Sequence, residues 1–169
     1  MPAEIKVLTY DNFRADSLDG FIRHQEVTEC WRCEEGEWQL QPIAFTEDWD
    51  IPRLREEAAD LLRTIDEGNP VIGAFDGEKV VGYAQLGERL GSRGQYNELV
   101  GFHVSEPYRG HRHVGKLIDH ACAVAREHGV QRVYLCTDHV GLYEKYGFTY
   151  LENRVSIYGE DSRVYVREV

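Results

Sequence analysis

Residues 106–129 read EPYRGHRHVGKLIDHACAVAREHG, a turn that runs on into a helix. Past Arg112, the residues Val114, Leu117, Ile118, Ala121, Cys122 and Ala125 recur at steps of three and four, which puts them on one face of a helix that Gly129 ends. Ahead of that apolar stripe the chain is punctuated by Gly110 and Gly115 and is rich in basic and imidazole groups, namely Arg109, His111, Arg112, His113 and Lys116. A helix start offers unpaired backbone N–H groups and a partial positive charge, so it holds a phosphate or pyrophosphate where the chain can come close. Gly110 and Gly115 permit the approach, and Arg109, Arg112 and Lys116 can add charge-assisted contacts. The same residues also fit a turn glycine and solvated basic side chains that merely open a helix.

The flanking segments tell what kind of sheet carries this helix. Upstream, PVIGAFDGEKVVGYAQL (70–86) reads as two strands around the turn DGEK, and QYNELVGFHV (95–104) as a third, so antiparallel strands lead into the helix. Downstream, QRVYLCT (131–137) is a short apolar strand, DHVGLYEKYG (138–147) a short helix with Asp138 as its cap, and residues 148–169 two closing strands. A crossover through the long helix makes its flanking strands parallel, giving a mixed, mostly antiparallel α/β sheet flanked by helices. Nearer the N-terminus, IKVLT (5–9) reads as a strand and residues 10–20 as a short helix or irregular stretch. The alternating runs RHQEVTECWRC (23–33) and EWQLQPIAFTEDW (37–49) read as a hairpin. Asp50 and Pro52 then open a helix, with Leu54, Ala58, Leu61, Leu62 and Ile65 at helical spacing until Gly68.

The 169 residues, with no repeats or long linkers, are expected to form one domain spanning 1–169. Thirty acidic against nineteen basic residues give a net charge of −11, which speaks against a sequence-independent nucleic-acid binder and suits cationic or amine ligands. No apolar run is long enough to span a membrane, and the N-terminus lacks the basic-then-apolar order of a signal peptide. The four cysteines suit a reducing compartment, so a cytoplasmic protein is expected. Cys30 and Cys33 form a C-x-x-C, but on a strand they face opposite ways and no second ligand pair accompanies them. His111, His113, Asp138 and His139 likewise lack ligand spacing, and no metal is expected.

A Walker loop and a dinucleotide fingerprint are both missing, since neither G-K-[ST] after a four-residue spacer nor G-x-G-x-x-G occurs. What remains, Val104 followed by SEPY and then RGHRHVGK, resembles the pyrophosphate-binding segment R/Q-x-x-G-x-G/A of the GNAT superfamily, the acyl-CoA-dependent N-acetyltransferases. Aligned on Arg109, the chain has Arg112 and Val114 where that family has glycine or alanine, and Gly115 one place late. The segment LYEKYGF (142–148) resembles the family's F/L-Y-x-x-x-G-F, which puts Tyr143 beside the thioester sulfur. The resemblance covers about residues 70–150, and in place of the family's two helices after the first strand stands a Trp-bearing hairpin.

The resemblance implies a parallel strand pair splayed around acetyl-CoA as acyl donor, held by Val104, Arg109, Gly110, His111, Arg112, His113, Val114, Gly115, Lys116 and Tyr143. It implies transfer to a primary amine of a small molecule or peptide. Such an amine, with a pKa near ~10, is mostly protonated at neutral pH, so a base must take its proton. Glu98, eleven residues before Arg109, stands where several family members carry that base, and His103 is the alternative. Each also reads simply as a strand residue, a solvated charge or a satisfied histidine. A backbone N–H near His103 or Val104 would meet the oxyanion, and Tyr143 would protonate the leaving thiolate, unless it is a buried structural tyrosine. A non-catalytic acyl-CoA sensor on the same fold is the competing expectation. The Trp31 and Trp38 alternation is either core or a surface on which two copies pair.

Overall fold

The computed structural model describes residues 3–87, 98–110, 112–137, 141–155 and 161–169; of Trp31, Cys33, Glu98, Leu99, Val100, Arg154, Val155, Asp161 and Ser162 it describes the backbone alone. Seven strands form the main sheet: β1 (Glu4–Val7), β4 (Val71–Asp76), β5 (Lys79–Gly87), β6 (Glu98–Val104), β7 (Arg132–Thr137), β8 (Thr149–Val155) and β9 (Asp161–Glu168). Their spatial order is β1-β4-β5-β6-β7-β9-β8. All neighbours are antiparallel except β6 and β7, which the crossover helix α2 (His113–Glu127) joins in parallel. β9 thus inserts between β7 and β8, so the chain's last strand lies inside the sheet and β8 is an edge.

The expected hairpin is a sheet of its own, β2 (His24–Glu34) with β3 (Glu37–Asp48). Its turn is Glu35-Gly36, both left-handed at φ 51° and 81°, the conformation that matches the twist of two paired strands. Cys30 and Cys33 lie on β2, opposite Gln41 and Trp38. Residues 10–20 make a chain of turns and no helix.

The two helices cover opposite faces of the main sheet. α1 (Ile51–Asp66) opens as expected, with the Asp50 carboxylate accepting from the Arg53 N–H at 3.0 Å. Its Leu54, Ala58 and Leu61 pack on Val71, Phe75, Val80 and Tyr83. α2 lays Leu117, Ile118, Ala121, Cys122 and Ala125 on Ile72, Ala74, Val81, Leu135 and Tyr165. Alternate residues of β4 thus serve opposite cores, the period-two logic of a strand buried on both faces. Each fully buried aliphatic side chain contributes about 1.5–3 kcal/mol, and β5 feeds both layers, with Val80 and Tyr83 on one side and Val81, Ala84 and Leu86 on the other. Among the described residues no helix is long and apolar enough to cross a membrane.

Candidate active site

Between β6 and β7 the only registered pair among the described residues is Glu98↔Tyr134. Toward their carboxyl ends the strands part, and a cleft of about 870 Å³ opens there. Phe102, His103 and Val104 line it from β6, Thr137 from β7, and Leu142, Tyr143 and Tyr146 from beyond β7. An open sheet places ligands at such carboxyl ends, where backbone groups lose their strand partners.

Tyr143 begins a short 3-10 helix, Tyr143–Tyr146, that Gly147 ends in the left-handed conformation (φ 84°). Leu142, and not Asp138, occupies its cap; Asp138 and His139 lie outside the described residues. The tyrosine ring stands edge-on to Phe102 and Phe148, at 6.4 Å and 6.2 Å between centroids. Burial raises its phenol to about 12, so it keeps its proton across the neutral range. Its hydroxyl has no partner among the described residues.

The start of α2 reaches the same cleft through Gly110 and Val114. Gly110 is left-handed (φ 79°), and so is Arg112, the residue that caps α2 (φ 65°, ψ 0°) and bonds to no N–H of the helix through its side chain. The first-turn N–H groups therefore have no side-chain cap from Arg112. Gly115 lies against the Tyr146 ring, 3.3 Å from where a β-carbon would stand. Arg112 and Lys116 are exposed, and His113 is buried beside Tyr108 at 6.1 Å between rings. His111 lies outside the described residues. Arg109 turns away from the helix, its Nε donating to the Val104 carbonyl at 3.0 Å and its Nη1 to the His24 carbonyl at 2.7 Å.

The opposite wall comes from the entry to the hairpin, through Arg23, His24, Gln25 and Glu26, with Glu106 beside them. Three more contacts fix this wall to the end of β6. The Ile22 N–H donates to Ser105 Oγ at 2.9 Å, the Glu106 N–H to the Ile22 carbonyl at 3.0 Å, and Arg23 Nε to His103 Nδ1 at 3.0 Å. His103 is lowered to about 3, first by burial and then by the cations of Arg23, Arg109 and Arg53, so it is neutral at physiological pH. A neutral imidazole that accepts at Nδ1 carries its proton on Nε2.

Of the residues singled out in the sequence, Tyr143, His103, Val104, Arg109, Gly110 and Val114 come together in one cleft. Glu98 starts β6, opposite Tyr134, with its side chain outside what is described. Sequence reasoning missed Arg23, Gln25 and Glu26, which sit in no motif, and Glu106, which lies inside the quoted SEPY segment but was given no role. Among the described residues no group of three or more His, Cys, Asp or Glu side chains could hold a metal ion.

A family model described as "Acetyltransferase (GNAT) family" matches residues 28–148. No curated protein matches the chain by sequence. Among solved structures, the chain is similar to nourseothricin acetyltransferase, at 16% identity over 99% of both chains and a TM-score of 0.69. A protein described as a streptothricin acetyltransferase from Bacillus anthracis str. Ames, in complex with acetyl coenzyme A, matches at 17% identity over 100% of this chain and 99% of its own, with a TM-score of 0.69. The GNAT family N-acetyltransferase YhbS from Escherichia coli, in complex with CoA, matches at 21% identity over 99% of this chain and 82% of its own, with a TM-score of 0.62. At these identities the likeness is one of fold.

Proposed function

Because the chain belongs to the GNAT acetyltransferase family, we propose that it transfers an acetyl group from acetyl-CoA to a primary amine of a small molecule or peptide. The observation that carries this reading is Tyr143, a proton-bearing hydroxyl without a partner among the described residues, in the cleft where β6 and β7 part. Two further features fit the donor. The first turn of α2 takes no side-chain cap from Arg112, and Gly110 takes a left-handed conformation that brings bare backbone to the cleft. Solved structures of the same fold hold acetyl coenzyme A or CoA.

Acetyl-CoA supplies the activated acetyl group. The first-turn N–H groups of α2, with Arg112 and Lys116 at the surface, hold its pyrophosphate. Glu26 and Glu106 on the facing wall draw in a cationic acceptor, in keeping with the chain's net charge of −11. The acceptor nitrogen must lose a proton before it attacks, and we assign that proton to Glu98 by way of water, since Glu98 starts β6 and the cleft opens toward the other end of that strand. His103 is unsuited to the task, because the nitrogen that could accept is already taken by Arg23. A backbone N–H of His103 or Val104, on the side of β6 released from β7, offers a donor to the developing negative oxygen. Tyr143 returns a proton to the departing sulfur.

Calorimetric titration with acetyl-CoA, followed by thiol release with a panel of primary amines, tests the reading. Binding together with amine-dependent release supports it. Absence of binding at millimolar acetyl-CoA overturns it, and binding without release from any amine points to a sensor.

A further inference from the structure

Arg23 is one of the few buried charged residues among those described, 8% exposed, and it stands on the wall of the cleft. Its guanidinium is divided between two neighbours, with Nε donating to His103 Nδ1 at 3.0 Å and Nη2 to Gln25 Oε1 at 2.6 Å. Its nearest carboxylate, Glu47, is 3.9 Å away, and Nη1 is buried with no partner among the described residues. An arginine chosen for stability would have its donors satisfied and its charge paired. This one leaves a donor unused and keeps the contact with His103.

The imidazole is packed between two aromatic rings on the side away from the cleft. The Trp49 ring meets it edge-on at 5.0 Å and the Tyr83 ring at 5.5 Å. Arg23 also lies over Trp49 at 5.2 Å, and Arg53 of α1 covers the same indole at 4.3 Å. The Trp49 indole N–H is anchored on Glu47 at 2.9 Å, and the Tyr83 hydroxyl on Glu57 at 2.7 Å. Ring rotation would break the Arg23 bond, so the ring has one orientation, with Nδ1 turned to Arg23. The other nitrogen, Nε2, has no partner among the described residues and stays open to the cleft.

We propose that Arg23 is a positioning residue that holds His103 as the Nε2–H tautomer, making it a hydrogen-bond donor to the acceptor side of the cleft and not its base. The inference rests on the acetyltransferase reading. It gives His103 a task that reading leaves unassigned: to donate to an oxygen or a neutral nitrogen of the acceptor and so to orient the attacking amine. The charged groups around the ring agree with it. Arg23 from the hairpin entry, Arg109 from the loop after β6 and Arg53 from α1 all disfavour an imidazolium. Glu57 is turned to Tyr83 and Arg53, Glu47 to Trp49 and Arg23, and Tyr83 is held neutral by burial.

The test is the imidazole nitrogen spectrum of the full chain, free of substrate, with the His103 signal identified by its loss in His103→Gln. The expected result is a neutral Nε2–H tautomer with no titration between about pH 5 and about pH 8. An Nδ1–H tautomer, or a charge gained within that range, overturns the proposal. In Arg23→Lys, which keeps the cation but loses the Nε donor, the two tautomers should mix; an unchanged spectrum would remove Arg23 from the role. If that variant does not fold, the wild-type spectrum decides. Turnover supplies the functional arm. His103→Gln keeps an N–H donor and should retain activity within ~10-fold, whereas His103→Phe should lose about 10²-fold. An equal collapse of both would restore His103 as a base. Because the spectrum is read without acetyl-CoA, a failed transferase reading shows as no thiol release from the wild type beside the expected tautomer. Failure of the present inference shows as the wrong tautomer beside normal release.

Discussion

Arg109 Nη1 donates to the His24 carbonyl at 2.7 Å across 85 residues of sequence. With Nε on the Val104 carbonyl, the guanidinium clasps the hairpin entry to the end of β6 just where the cleft opens. A lysine keeps the charge but cannot present two fixed donors to two carbonyls. Arg109→Lys should therefore lower stability by about 1 kcal/mol, a figure discounted for the exposure of the side chain. Amides of residues 22–25 should exchange faster. Urea unfolding and hydrogen exchange read both effects, and unaltered exchange there would show that the clasp is not what closes the two walls.

Tyr143→Phe removes one hydroxyl and leaves the edge-on packing with Phe102 and Phe148 intact. Turnover should fall by about 10²-fold or more while acetyl-CoA binding stays, because only proton delivery to the sulfur is lost. The deficit should shrink at low pH, where solvent protonates the thiolate. Undiminished turnover would take Tyr143 out of the chemistry, and a variant that fails to fold would make it a structural tyrosine.

Arg112 and Gly110 make a matched pair of backbone tests. Both are left-handed, at φ 65° and 79°, but only glycine adopts that region without penalty. Arg112→Gly should be stabilising by about 0.5 kcal/mol, strain relief being partly offset by chain entropy. Gly110→Ala has room for the added β-carbon, with nothing within 4 Å, so its cost of about 1 kcal/mol should come from the backbone alone. That variant should also weaken acetyl-CoA binding by reshaping the approach to α2. Thermal unfolding and calorimetry check the two signs.

His103 gives the fold an acid sensitivity whose sign follows from its lowered pKa. The unfolded imidazole protonates near its ordinary value of 6.5, the folded one only at about 3. Neutral His103 therefore favours the native state above pH ~6.5, and that contribution is lost progressively as pH falls toward ~3. His24 has the opposite sign: its hydrogen bond with Asp48 raises it, so its contribution is present below its ordinary value and fades as pH climbs through the raised one. The advantage of wild type over His103→Gln should be largest at neutral pH and should shrink steadily on acidification down to about pH 3, the wild type losing more. Parallel curves would contradict the buried neutral imidazole.

Much of this architecture is legible in local pattern. The stripe from Leu117 to Ala125 marks α2, Asp50 and Pro52 mark the start of α1, and the crossover implies the parallel pair. The departure at Arg112 is instructive, since the position where the resemblance puts glycine or alanine is left-handed here with an arginine in it. What sequence could not show depends on contacts between distant segments. Arg23 meets His103 across 80 residues, and no periodicity or motif encodes that meeting. The insertion of β9 between β7 and β8 is likewise invisible, because two adjacent strand patterns say nothing about which one takes the inner place. The short helix is a 3-10 turn over Tyr143–Tyr146 with Leu142 at its cap, and the cap expected at Asp138 falls outside the described residues.

Acetyl transfer is proposed to take place in the cleft between β6, β7 and the start of α2. Its most direct test is one assay: wild-type chain, acetyl-CoA and a panel of primary amines, with free thiol and acetylated amine measured together. Thiol release should depend on the amine, match the acetylated product mole for mole, and be strongly reduced in Tyr143→Phe. Acetyl-CoA that binds yet yields no thiol with any amine, or thiol released without acetylated amine, would contradict it.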